Sequence, residues 1–231
     1  MDEFHEVERP RIEDFLFKAS KMAVGLIPVA GPVLSEVFSY AISDPIQART
    51  NQFVADLNNR VVWLEENRGV ETAELLQNDL FLDIVIQATS FATKTSETDK
   101  RKALINSITN TALNLNPDEV KTRIFVRVID SLTGWHLKVL YFINNPKRCF
   151  TDLNKPIPEY YQTSIFSVLK HVYPEFSDQD DLIDIIWSDL HSAGFHRSGS
   201  IKSGMSGDGV LSERTTDLGK EFMRFITFNE E

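Results

Sequence analysis

Residues 79–93 read DLFLDIVIQATSFAT, and Leu80, Phe81, Leu82, Ile84, Val85, Ile86, Ala88, Phe91 and Ala92 leave little polar surface in that run. A helix apolar on nearly every side belongs at the centre of a bundle. Its neighbours should then be helices that offer it one apolar stripe each. Upstream, Ile46, Phe53, Leu57, Val61 and Leu64 recur at three-, four- and seven-residue steps, which predicts an amphipathic helix opened by Asp44-Pro45 and ending near Gly69. Downstream, the polar 94–100 stretch precedes a helix over 99–113.

Asn116-Pro117-Asp118-Glu119 then offers an N-cap, a proline and an N3 glutamate for a helix with Val120, Ile124, Phe125, Val128, Ile129 and Leu132 inward. Thr133 caps a further helix through Trp135, Leu137, Leu140, Tyr141 and Ile143, and so short a turn predicts a tight pair. Nearer the N-terminus, residues 12–27 and 32–43 read as two helices broken at Pro28 and Gly31-Pro32. The fold expected is mainly α, with a multi-helix bundle over residues 1–150.

Beyond Pro146 the texture changes. Asn154-Lys155-Pro156-Ile157-Pro158 reads as a linker, followed by helices over 162–172 and 178–193, the latter stopped by Gly194. A Gly/Ser-rich stretch from His196 to Gly209 and extended residues 210–215 lead to a last helix with Phe222, Phe225 and Ile226 inward. That order resembles a winged helix, and Gly194-Phe195 followed by TTDLGKEF (215–222) resembles the "GL…LT-x-x-G-x-x-F" of such domains. Residues 151–231 are therefore expected to form a small winged-helix-like domain with a short β-wing around a mobile tip.

In such a fold the helix before the wing enters the major groove. Here it carries Asp178, Asp180, Asp181, Asp184 and Asp189 and no Lys or Arg. Each carboxylate facing a phosphate meets repulsion of about 1 kcal/mol at 4 Å even in water. The chain has a net charge of −10, and its last 81 residues hold seven Lys/Arg against fourteen Asp/Glu. DNA is thus a poor partner, and another protein or a second copy is expected. The candidate interaction surface is Asp181, Asp184 and Asp189 on the helix, with Arg197, Lys202 and Arg214 on the wing.

Residues 22–42 hold Glu36 as their one charge and have the length of a membrane span. Two prolines at roughly 3 kcal/mol each, two glycines at about 1 each, and an acidic residue oppose insertion. A kinked core element is the expected reading, with a membrane-active hairpin as the alternative. Chemistry has little to stand on. The histidines, His5, His136, His171, His191 and His196, show no metal spacing, and His191 and His196 lie five apart rather than four. The single cysteine, Cys149, has Lys147 and Arg148 beside it, which favours a lowered pKa, but the sequence offers it no histidine partner, so a spectator thiol is expected. Gly204, Gly207 and Gly209 do not form a phosphate loop. No cofactor, no metal and no enzymatic activity are expected, and the lone cysteine and charged N-terminus fit a cytoplasmic setting.

Across most of its length the layout also resembles the bacterial abortive-infection alpha (Abi-alpha) proteins. The resemblance rests on the proline-broken apolar N-terminal stretch, the core segment IFVRVIDSLTGWHLKVLYFI (124–143), and Thr216, Gly219 and Phe222. Thr215 stands where the family pattern has leucine. The resemblance implies a bacterial or prophage origin and a role in phage defence. It supplies no catalytic residues. The sequence therefore leads to a non-enzymatic interaction protein, with a transcriptional regulator and a membrane-active effector as the alternatives.

Overall fold

A computed structural model describes residues 46–113 and 118–228. The helices expected over 12–27 and 32–43, the apolar 22–42 segment, the Asp44-Pro45 start and the Asn116-Pro117 pair lie outside those residues. Among the described residues the protein is mainly α-helical with one two-stranded sheet. It separates into two compact units: Leu132–Arg224, and the remainder, which includes Phe225 onward.

In the first unit α1 (Gln47–Arg68) buries Phe53, Leu57, Val61 and Leu64 of the expected stripe and Thr50 besides, while Ile46 stands half-buried just before its first turn. It ends at Gly69, whose φ of 64° is a left-handed conformation that a side chain would oppose. A single turn, α2 (Thr72–Leu75), leads to α3 (Asp79–Lys94), where the Asn78 side chain caps by accepting the Phe81 N–H at 3.0 Å. This is the central helix, in contact with α1, α4 (Thr98–Ala112) and α5 (Glu119–Ser131). Leu64, Ile84, Val85 and Leu104 are wholly buried here, each contributing roughly 1.5–3 kcal/mol.

Helix α4 lies deep although it is rich in polar residues. Ser107, Thr109 and Thr111 escape the cost of burial by donating their hydroxyls to the Leu104, Ile105 and Ser107 carbonyls at 2.7–2.9 Å. At α5 the Asp118 carboxylate accepts the Lys121 N–H at 2.6 Å and so serves as the cap.

The second unit begins at Leu132, between the two helices expected to pair tightly, and not near residue 150. Its first helix, α6 (Gly134–Asn144), packs on α9 (Asp180–Ser192), and α7 (Pro146–Asp152) packs on α6. Cys149 and Phe150 of α7 are fully buried, so residue 150 lies inside this unit's core. Strand β1 (Gln162–Thr163) precedes α8 (Ile165–Val172). The sequence predicts a helix from residue 162, but the Ser164 hydroxyl accepts the Ser167 N–H at 3.2 Å and starts α8 three residues later, at Ile165.

The wing also departs from expectation. Met205–Ser206 form β2, antiparallel to β1, with Gln162 opposite Ser206 and Thr163 opposite Met205. Gly207–Val210 form a turn of helix, α10, where a mobile tip was expected through Gly209 and an extended segment from Val210, because the Ser206 hydroxyl accepts the Gly209 N–H at 3.2 Å. Of residues 210–215 only Thr215 is in extended pairing, as an isolated bridge to His196. Residues 217–224 of helix α11 (Asp217–Ile226) close the unit, with Phe222 stacked on Phe195 at 4.5 Å between ring centres.

Candidate interaction surface

Helix α9 has two faces. Ile183, Ile186, Trp187 and Leu190 are buried, which already supplies a full inward stripe. Leu182 and Ile185, three residues apart, are left outside with 40% and 55% of their surface exposed. Around them stand Asp181, Asp184 and Asp189, all exposed. Leu182 and Ile185 also line an open groove of about 590 Å3, together with Lys170, Asp178 and Asp181.

The cations near this face are not independent of it. Lys202 is ion-paired with Asp184 at 2.5 Å, and Lys170 with Asp180. Both ammonium groups also lie over the Phe166 ring, at 5.0 and 4.3 Å from its centre. The hydrogen bond to Asp184 raises the Lys202 pKa, so the lysine stays charged. Asp189 instead approaches His136 Nε2 at 3.3 Å. The Nδ1 of that ring accepts the Thr133 N–H at 3.2 Å, which places the ring proton on Nε2, toward the carboxylate.

Of the six residues singled out from sequence, Asp181, Asp184 and Asp189 share α9, and Lys202 joins them through its ion pair. Arg197 is exposed on the segment after His196. Arg214 is turned into the fold: its guanidinium donates to the Gly209 carbonyl and lies 2.9 Å from Met205 Sδ, and its backbone N–H donates to Ile143. Burial lowers its pKa from the ordinary arginine value. Leu182, Ile185 and Phe166 were missed. The signal was present in α9, where six apolar residues between 182 and 190 are more than one inward stripe can take.

The Lys147 and Arg148 beside Cys149 in sequence do not lower its pKa. Burial raises its pKa, and although the Tyr173 hydroxyl at 3.2 Å opposes that shift, it does not overcome it. Among the described residues no three His, Cys, Asp or Glu side chains are grouped to hold a metal ion, and no helix is long and apolar enough to cross a membrane. Compared with protein-family models, with curated proteins and with solved structures, the chain matches none.

Proposed function

We propose that the 132–224 unit is a winged-helix-like module that docks a protein, within a non-enzymatic interaction protein. The element order supports the winged-helix reading: α7, β1, α8 and α9 run as helix, strand, helix, helix, and the His196–Thr215 bridge begins the wing. The observation that carries docking is the outer face of α9. It presents Leu182 and Ile185 between carboxylates, on the helix that a DNA-binding relative would put into the major groove. Apolar residues ringed by charge suit a protein partner with an apolar centre and a basic rim. The likeness to abortive-infection alpha proteins supplies a setting, phage defence, and no more.

The test is a tagged pull-down from host cells with the wild type and with a Leu182→Ser/Ile185→Ser double variant. Wild type should retain a stoichiometric protein that the variant loses by tenfold or more, the effect of removing a central contact worth over about 1.4 kcal/mol. A partner held equally by both would move docking off this face. Recovery of a monomeric chain alone would overturn the proposal. A salt-sensitive shift of DNA by the purified protein would favour the regulator instead.

A further inference from the structure

Three contacts hold the segment that follows α9 back against that helix. His196 is wholly buried, and its Nε2–H donates to the Trp187 carbonyl at 3.0 Å. The Trp187 indole N–H donates in turn to the Gly199 carbonyl at 2.8 Å. Lys202 closes the far end on Asp184. The imidazole lies 3.9 Å from the Trp187 ring between centres, and its Nδ1 is buried with no hydrogen-bond partner among the described residues. We propose that His196 is the pin of an acid-released clasp that holds residues 197–203 along α9.

The site is built for the neutral ring alone. With Nε2 donating, Nδ1 carries a lone pair in a dry place, and protonation there creates a second N–H with no acceptor and a charge with no counter-ion. From α9 the ionisable group that faces the ring is His191, 5.5 Å away between centres, and its electrostatic effect also disfavours a charge on His196. On the ring's own segment Arg197 is exposed. On the returning segment Thr215 is uncharged, and the neighbouring Arg214 is engaged with Gly209 and Met205. No carboxylate is bonded to His196 among the described residues.

Burial holds the imidazole pKa below its ordinary value, against the Trp187 carbonyl, which favours the protonated ring; His191 reinforces the lowering. A depressed histidine stabilises the closed form above its free value of about 6.5, and that contribution falls away as pH drops toward the lower value of the closed form. Within that window each pH unit shifts the balance toward the open clasp by up to about tenfold. Opening would free Gly199 and bare Asp184 on the outer face of α9. The clasp needs no partner protein to operate.

Nuclear magnetic resonance of the full chain, titrated from about pH 7.5 to 4.5, follows the pin and both ends of the clasp separately. The Trp187 indole and Gly199 amide signals should move together with the His196 ring, at a midpoint below the ordinary histidine value, while the Trp63 and Trp135 indoles hold still. His196→Phe keeps a ring on Trp187 but cannot be protonated, and should abolish the transition. His191→Gln should move the midpoint up. The proposal is overturned if Trp187 and Gly199 stay fixed until all three indoles change together, or if the transition survives in His196→Phe. Should that variant not fold, a wild-type Trp187 midpoint different from that of the His196 ring overturns it equally.

Discussion

A β-carbon on Gly219 would stand 2.5 Å from the carbonyl oxygen of Phe195, closer than two such atoms can approach. Helix α11 therefore packs backbone to backbone on the segment leaving α9. The Thr216 hydroxyl and N–H, which donate to the Gly194 and Phe195 carbonyls at 2.7 and 2.9 Å, fix the approach.

Two effects of opposite sign meet in Gly219→Ala. Helix propensity alone would favour alanine by up to about 1 kcal/mol. Pushing α11 off Phe195 should cost about 1–3 kcal/mol, and the clash wins because the obstructing atom is backbone. Urea unfolding should show net destabilisation. Gly199→Ala, whose β-carbon meets nothing within 4 Å, serves as the control and should change stability little.

Asn110 is buried, and its Nδ2 donates to the Phe225 carbonyl at 2.8 Å and to the Thr227 carbonyl at 2.9 Å. Asn106 donates likewise to Ile226 at 2.9 Å. Asn110→Leu should lose about 1–3 kcal/mol by leaving those carbonyls short of a donor. Asn110→Asp should be worse at neutral pH, because a carboxylate facing carbonyl oxygens repels them. It should recover partly in acid, where the protonated acid can donate. Thermal melts at two pH values separate the variants.

The Cys149 thiol is fully enclosed, and burial raises its pKa. Reaction with a disulfide reagent at pH 8 should thus wait for unfolding, with a rate that rises with urea as the unfolded fraction does. Tyr173→Phe removes the hydrogen bond that favours the thiolate. It should slow any native-state reaction further while admitting faster labelling through lost stability.

Tyr141 has its pKa pushed up to about 12, first by burial and then by the Asp152 carboxylate, which accepts its hydroxyl proton. A phenol that holds its proton more tightly when folded stabilises the fold fully below about pH 10, and that contribution is lost as pH rises toward 12. Ultraviolet titration at high pH should show one tyrosine ionising near 12 that disappears in Tyr141→Phe. Because the ring is partly exposed, the accompanying change in stability should be small.

Where burial and sequence spacing speak the same language, the fold was readable in advance. The α1 stripe from Phe53 to Leu64, the central place of 79–93 and the caps at Gly69 and Thr133 all follow from local periodicity and capping. The grouping of the helices was not readable. The turn at Ser131–Thr133 is short whether α5 and α6 belong together or apart, and only the packing of α6 on α9 decides. The glycine stretch failed for a related reason. Gly207 is required because Tyr160 places its carbonyl oxygen 2.2 Å from the would-be β-carbon, a long-range fact that looks like a mobile tip from sequence. At the candidate surface the carboxylates were legible as charge. The exposure of Leu182 and Ile185, and the inward turn of Arg214, depended on which way each element faces.

The return of Phe225–Phe228 to the first unit sets an order on synthesis. A ribosome delivers α1 to α5 first, then every residue of the 132–224 unit, and only afterwards the strand of carbonyls that Asn106 and Asn110 await. The inserted unit can be complete while the unit that encloses it in sequence is still unfinished. Until Phe225–Thr227 emerge, these contacts of Asn106 and Asn110 cannot form.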